Sequence, residues 1–205
     1  DGTKIALSAK RGGWDVIYII DIESGDRTDL PVQFDGIKSV TWSPDGKYIA
    51  FVGHNASQSD IYTYNFDTKE TVNLTSDFFT DDYPAWTPDS RHVIFVSDRS
   101  DNMNSAALPD SFKIYRHDYQ HNDIYAVSIS DKKISRLTET EASESFPVSS
   151  PDGKEILFVS DASGINNIYR KKVIYDSDSA SVKNEAVPIT NSLNGLYQLS
   201  LSKDG

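Results

Sequence analysis

The residues of this 205-residue chain best suited to chemistry are few and scattered. His117 and His121 stand four apart in RHDYQHND, with Asp118 and Asp123 beside them, a grouping that could hold a metal ion. With only four histidines in the chain, the favoured reading is a polar loop, and His117 and His121 remain weak metal candidates. Asp176-Ser177-Asp178 opens like a calcium loop, but Ser181 stands where that loop needs glycine and Val187 where it needs glutamate. Neither a Gly-x-Ser-x-Gly elbow nor a His-Glu-x-x-His pair is present, so no nucleophile and base are assembled. The chain is therefore read as non-catalytic and without a cofactor. Asp15, Asp60 and Asp123 recur ahead of an apolar-Tyr phrase, with Asn167 in the fourth copy. They could form a ring of ligand carboxylates. The favoured reading is structural: a side-chain acceptor that locks the entry to a strand by bonding backbone N–H groups. Asp98 and Asp161 read the same way. Trp42 and Trp86 share one repeat position and read as core rather than as a stacking platform.

The elements that must position these residues announce themselves by repetition. Residues 43–52 read SPDGKYIAFV, 87–96 TPDSRHVIFV and 150–159 SPDGKEILFV. A second phrase follows at 14–18 (WDVIY), 60–62 (DIY), 123–125 (DIY) and 167–169 (NIY), and a third closes each copy at Leu30, Leu74-Thr75, Leu137-Thr138 and Ile189-Thr190. Sixteen residues separate Leu30 from Gly46, Leu74 from Ser90, Leu137 from Gly153 and Ile189 from Gly205. A repeat of this length built of short strands predicts β-propeller blades, each with four antiparallel strands. The approximate repeats are 1–36, 37–80, 81–143 and 144–195, with a further one beginning at 196–205. Their first strands are expected at 37–42, 83–86, 146–149 and 196–201. The second strands are continuous apolar runs, as burial between two neighbouring blades requires. About four copies predict part of a larger ring, and a start in mid-repeat predicts a piece of something longer.

Two copies are stretched. Thirty-three residues separate Ser90 from Asp123, where fourteen separate Gly46 from Asp60 and Gly153 from Asn167. The excess lies in residues 99–121, whose Met103, Leu108, Phe112 and Tyr115 predict an ordered insert over one end of the ring. The fourth copy carries extra residues around 176–183 (DSDSASVK), read as a solvent loop.

Composition narrows the partners. A net charge of −11 with no basic stripe beyond residues 170–172 argues against nucleic acid. No run approaches the roughly 20 apolar residues of a membrane span, so direct membrane insertion is not expected. Asn55-Ala56-Ser57 and Asn73-Leu74-Thr75 match the glycosylation pattern, the second by coincidence with the closing phrase.

Taken together, Pro-x-Trp-Thr-Pro-Asp at 84–89, the apolar strand, Ser97-Asp98-Arg99, Asp-Ile-Tyr and Leu-Thr resemble the TolB-type propeller repeat, the Pro-Asp-Gly cousin of WD repeats. The resemblance implies an interaction or scaffold propeller of a bacterial cell envelope, periplasmic or otherwise extracytoplasmic. It equally implies, as an alternative, the gating propeller of a prolyl-oligopeptidase-like serine peptidase. The connections at 33–36, 77–82, 140–145, 53–59 and the long insert are expected on one end of the ring. That end is the candidate binding face for a protein partner. Asp35, Asp81, Asp82, Glu141 and Glu144 are expected to make its mouth acidic, with Tyr83, Phe112, Tyr115 and His117 as further contact residues.

Overall fold

The computed structural model describes residues 2–56, 58–104, 108 and 112–202. It is all-β apart from short turns, and its strands form four antiparallel sheets in chain order. The first holds β1 (Lys4–Arg11), β2 (Trp14–Asp21) and β3 (Arg27–Asp29). The second is β4 (Gly36–Trp42), β5 (Tyr48–Asn55), β6 (Gln58–Asn65) and β7 (Thr71–Asn73). The third is β8 (Asp81–Trp86), β9 (His92–Ser97), β10 (Asp123–Ser128) and β11 (Ile134–Arg136). The fourth is β12 (Glu144–Ser149), β13 (Glu155–Ser160) and β14 (Asn167–Tyr175), with β15 (Ala180–Val182) and β16 (Val187–Pro188) both paired to β14.

The turn between first and second strands shows why its motif recurs. Ser43 Oγ donates to Asp45 Oδ1 at 2.6 Å and accepts from Tyr48 N at 2.9 Å. Asp45 Oδ1 in turn accepts from Lys47 N. Thr87 with Asp89 and Ser150 with Asp152 repeat the arrangement. Gly46 and Gly153 take φ of 72° and 69°, and Ser90 takes 60° without being glycine. Its hydroxyl has another use, accepting from Asp45 N of the preceding blade at 3.1 Å.

The core is three layers, each between two blades. Ile17, Leu30 and Phe34 meet Ile49, Phe51 and Tyr64 in the first. Val52 and Ile61 meet Phe95 and Tyr125 in the second, and Ile94 and Ile124 meet Phe158 and Tyr169 in the third. The second strands β5 and β9 are almost wholly buried, as their unbroken apolar runs require. The first strands β4, β8 and β12 touch one another in series. Each bends at a bulge, where Ser39, Tyr83 and Phe146, seven residues before the turn position, hold φ of 55°, 51° and 51°. The bulge brings the rings of Tyr83 and Phe146 to 4.2 Å across neighbouring blades.

Two expectations change. The stretch read as a solvent loop is a hairpin: Val173, Ile174 and Tyr175 prolong β14, Asp176 N donates to the Ser179 carbonyl, and β15 pairs back. Residues 196–201 pair with no strand; Leu196 N donates to the Asn166 carbonyl. A first strand needs its own blade's second strand, and none is among the described residues. The turn expected at 204–205 lies outside them.

Candidate functional site

The aspartates that open the third strands act as structural acceptors. Asp15 Oδ2 accepts from Ile37 N at 2.8 Å, and Lys10 with that N–H holds its carboxyl below the usual range. Asp60 accepts from Asn73 Nδ2 and Asp77 N, and Asn167 Oδ1 from Ser192 N. Asp98 and Asp161 accept from Thr80 N and Ser143 N. Trp86 Nε1 donates to the Thr41 carbonyl of the preceding blade, which makes it an inter-blade tie.

At the joint between second and third blades, these ties converge on Arg99. Its side chain is fully buried, with Nη1 2.8 Å from Asp77 Oδ2, Nη2 2.6 Å from Asp81 Oδ1 and Nε donating to Ser97 Oγ. The guanidinium lies 5.2–5.6 Å from the ring centres of Phe79, Phe95 and Tyr125. Burial pushes Asp81 up to about 7 against the pull of Arg99, and Asp77 is raised for the same reason. Arg99 is itself raised, by the carboxylates it holds. Two buried carboxylates share one guanidinium there. Among the described residues, Asp60, Asp77 and Asp81 are the one group with carboxylates close enough to hold a metal ion, and Arg99 already bonds two of the three.

One repeat later the cation is missing. The positions of Asp60, Asp77, Asp81 and Arg99 are taken by Asp123, Thr140, Glu144 and Ala162. Glu144 is 1% exposed. Its Oε1 is 2.6 Å from Thr140 Oγ1 and its Oε2 3.0 Å from Thr138 Oγ1, and Thr138 Oγ1 also reaches Asp123 Oδ1 at 3.4 Å. Arg136 bonds Asp123 at 2.6 Å and does not bond Glu144. Burial first, with the Asp123 charge adding to it, pushes Glu144 up to about 8.

The candidate face residues therefore divide. Asp35 and Glu141 are exposed, and Asp82 is half-buried and paired with Lys38 at 2.5 Å. Asp81 and Glu144 do not line a mouth. Position nine before the turn opens the first strand and points into the joint, where hydrogen bonds await it. Tyr83 is held by the bulge against Phe146.

Phe112 and His117 come together on the insert, and Tyr115 stands apart from them in solvent. Phe112 stacks on Phe78 at 6.4 Å and meets Phe79 edge-on at 6.0 Å. The His117 ring lies 5.0–5.9 Å from Phe79, Phe112 and Tyr119, with Nε2 3.6 Å from Asp98 Oδ2. Tyr115 follows on a 3-10 turn at Ile114–Arg116 and is 73% exposed. His121 Nε2 instead donates to the Thr140 carbonyl at 2.5 Å, so the two histidines serve different partners. Residues 105–107 and 109–111 of the insert lie outside the described residues. Sequence reasoning missed Phe78 and Phe79, and the signal was there: two aromatics in a connection otherwise made of Thr, Ser and Asp.

Tandem antiparallel blades of three to five strands, with inter-blade cores and a polar lock at every joint, define a β-propeller domain. The family model described as TolB beta propeller domain matches residues 1–105, and the chain belongs to that family. Among solved structures it is similar to TolB from Acinetobacter baumannii (24% identity, TM-score 0.66), covering 89% of this chain and 41% of that one. A putative TolB from Agrobacterium tumefaciens gives 22% identity and TM-score 0.67, covering 89% and 61%. A prolyl endopeptidase structure gives 19% and 0.53, covering 88% and 29%. The chain thus spans less than two thirds of the length of each. No curated protein matches the sequence.

Proposed function

We propose that this propeller is a non-catalytic interaction module of a bacterial cell envelope, and that it binds a protein through the end that carries the insert. The observation that carries the reading is the exposed apolar cluster formed by that insert and the neighbouring connection at 77–82. Phe78, Ile114 and Tyr115 are 44%, 42% and 73% exposed, yet the segment is anchored through Phe112, Phe79 and His117. Exposed aromatic side chains on a pre-ordered support supply contact area at low entropic cost. The exposed carboxylates Asp35 and Glu141, and the net charge of −11, favour a cationic partner surface. TolB likeness supports the envelope setting.

A photo-crosslinking residue at Tyr115 should capture a defined envelope protein, and the same residue at Asp152, on the turn end, should not. Equal capture from both ends, or from neither, would sink the reading. The prolyl endopeptidase likeness favours a second reading, a gating propeller of a serine peptidase. A Gly-x-Ser-x-Gly elbow in the parent polypeptide would decide for it.

A further inference from the structure

The two locked joints hold their buried carboxylates differently: Arg99 bonds Asp81 at the first, whereas at the second Arg136 bonds Asp123 and leaves Glu144 without a cation, and this second joint is wired to the insert. Asp101, near the start of the insert, is paired with Arg136 Nη1, whose Nη2 holds Asp123. His121, at its end, donates to the carbonyl of Thr140, whose hydroxyl is 2.6 Å from Glu144. Thr138 links Glu144 back to Asp123. Glu144 N also donates to the Asn122 carbonyl across the joint. Both ends of the insert therefore reach one network of two buried carboxyl groups and one part-buried arginine, Asp101 from the solvent side, and that arginine serves Asp123. The other ionisable groups around it are His121 from the insert, Asp161, which accepts from Ser143 N, and exposed Glu139 and Glu141 on the same connection.

We propose that Glu144 is a proton-operated catch: protonated, it closes the joint between the third and fourth blades and fixes the base of the insert, and deprotonated it loosens both. In the protonated state the carboxyl is neutral: Oε2–H donates to the Thr138 hydroxyl, which turns its own proton to Asp123, while Oε1 accepts from the Thr140 hydroxyl. Losing the proton leaves a second buried negative charge beside Asp123 with no cation on its side, a state that burial disfavours. The neighbouring joint, with Arg99 in place of Ala162, shows how the same position is held when a cation is supplied. That the catch regulates partner binding rests on the interaction reading above; that it moves the insert does not.

The sign follows from linkage. A carboxyl at about 8 in the closed joint and in the ordinary glutamate range when open binds its proton more tightly closed. The closed joint is most stable at low pH, weakens as pH rises from about 5 to about 8, and levels off beyond. Amide hydrogen exchange on the whole chain, corrected for intrinsic chemistry, reads this directly. Opening at residues 99–103, 121–124 and 138–144 should rise about tenfold per pH unit across that window. In Glu144→Gln it should not change through this group, and the Asp81–Arg99 joint, common to both chains, cancels in the comparison. Wild-type dependence surviving in Glu144→Gln, or no dependence in the wild type, overturns the proposal. Should the variant fold poorly, the carbon-13 carboxyl signal of Glu144 in the wild type decides: a midpoint near 8 supports the catch and one in the ordinary glutamate range refutes it. Neither measurement needs a partner, so a failed crosslinking experiment would leave this result standing.

Discussion

Arg99 shows how much one side chain can settle. Removing it leaves Asp77 and Asp81 buried without a countercharge, which costs about 3–5 kcal/mol. Lysine is no substitute, because only a guanidinium bonds both carboxylates in one plane while facing three rings. Asp81 sits at about 7 in the fold, above the ordinary aspartate range, so it holds its proton more tightly folded than unfolded. Its contribution is greatest at low pH and drains as pH climbs to about 7. Without Arg99 both carboxyls rise further, so the deficit of Arg99→Ala should widen between pH 5 and pH 8. Thermal unfolding at the two pH values checks this; an equal gap at both would contradict it. This pairing was not legible beforehand. Asp81 read as a surface charge because its partner lies 18 residues away, and only the fold brings them to 2.6 Å.

At the scale of the strand and turn, the sequence was most informative where a backbone conformation demands particular residues. The Pro-Asp-Gly reversal needs a hydroxyl, a carboxylate and a left-handed residue in fixed order, so its spacing revealed the blades. The bulges left no such mark, since Ser39, Tyr83 and Phe146 hold positive φ without being glycine or asparagine. The β14–β15 hairpin was hidden for a different reason: its polar residues look like any loop until strand pairing uses their backbone. Gly53 is a close-approach glycine on β5. A methyl there would come within 2.8 Å of Phe34 and Tyr62. Those rings pack edge-on at 4.7 Å within the first inter-blade layer. Gly53→Ala should therefore cost about 1–3 kcal/mol by overpacking. A urea titration checks it, and an unchanged midpoint would mean that the layer has slack.

Over the whole molecule, burial is divided among three layers, and each blade touches only its neighbours. Stability should then follow nearest-neighbour rules rather than rise and fall as one unit. Phe158, 1% exposed in the third layer, is a good probe. Phe158→Ala should cost about 3–5 kcal/mol locally and speed amide exchange in β12–β14 and β9–β10. The amides of β1 and β2 should be nearly untouched; uniform acceleration would show that the blades unfold together. The apolar second strands made this layering legible, because strands hydrophobic on both faces need a neighbour on each side.

The hydrogen bonds at the second and third joints also rank the order in which those two break. The joint between second and third blades is clasped at both ends, by Ser90 against Asp45 on the turn side and by buried Arg99 on the other. At the next joint the same positions hold Gly153 and Ala162, and neither clasp can form. Of these two joints, the one between the third and fourth blades should part first when the array is pulled. The second and third blades would stay together, and the insert, tied to both sides of the weaker seam through Arg136 and Thr140, would feel the load early.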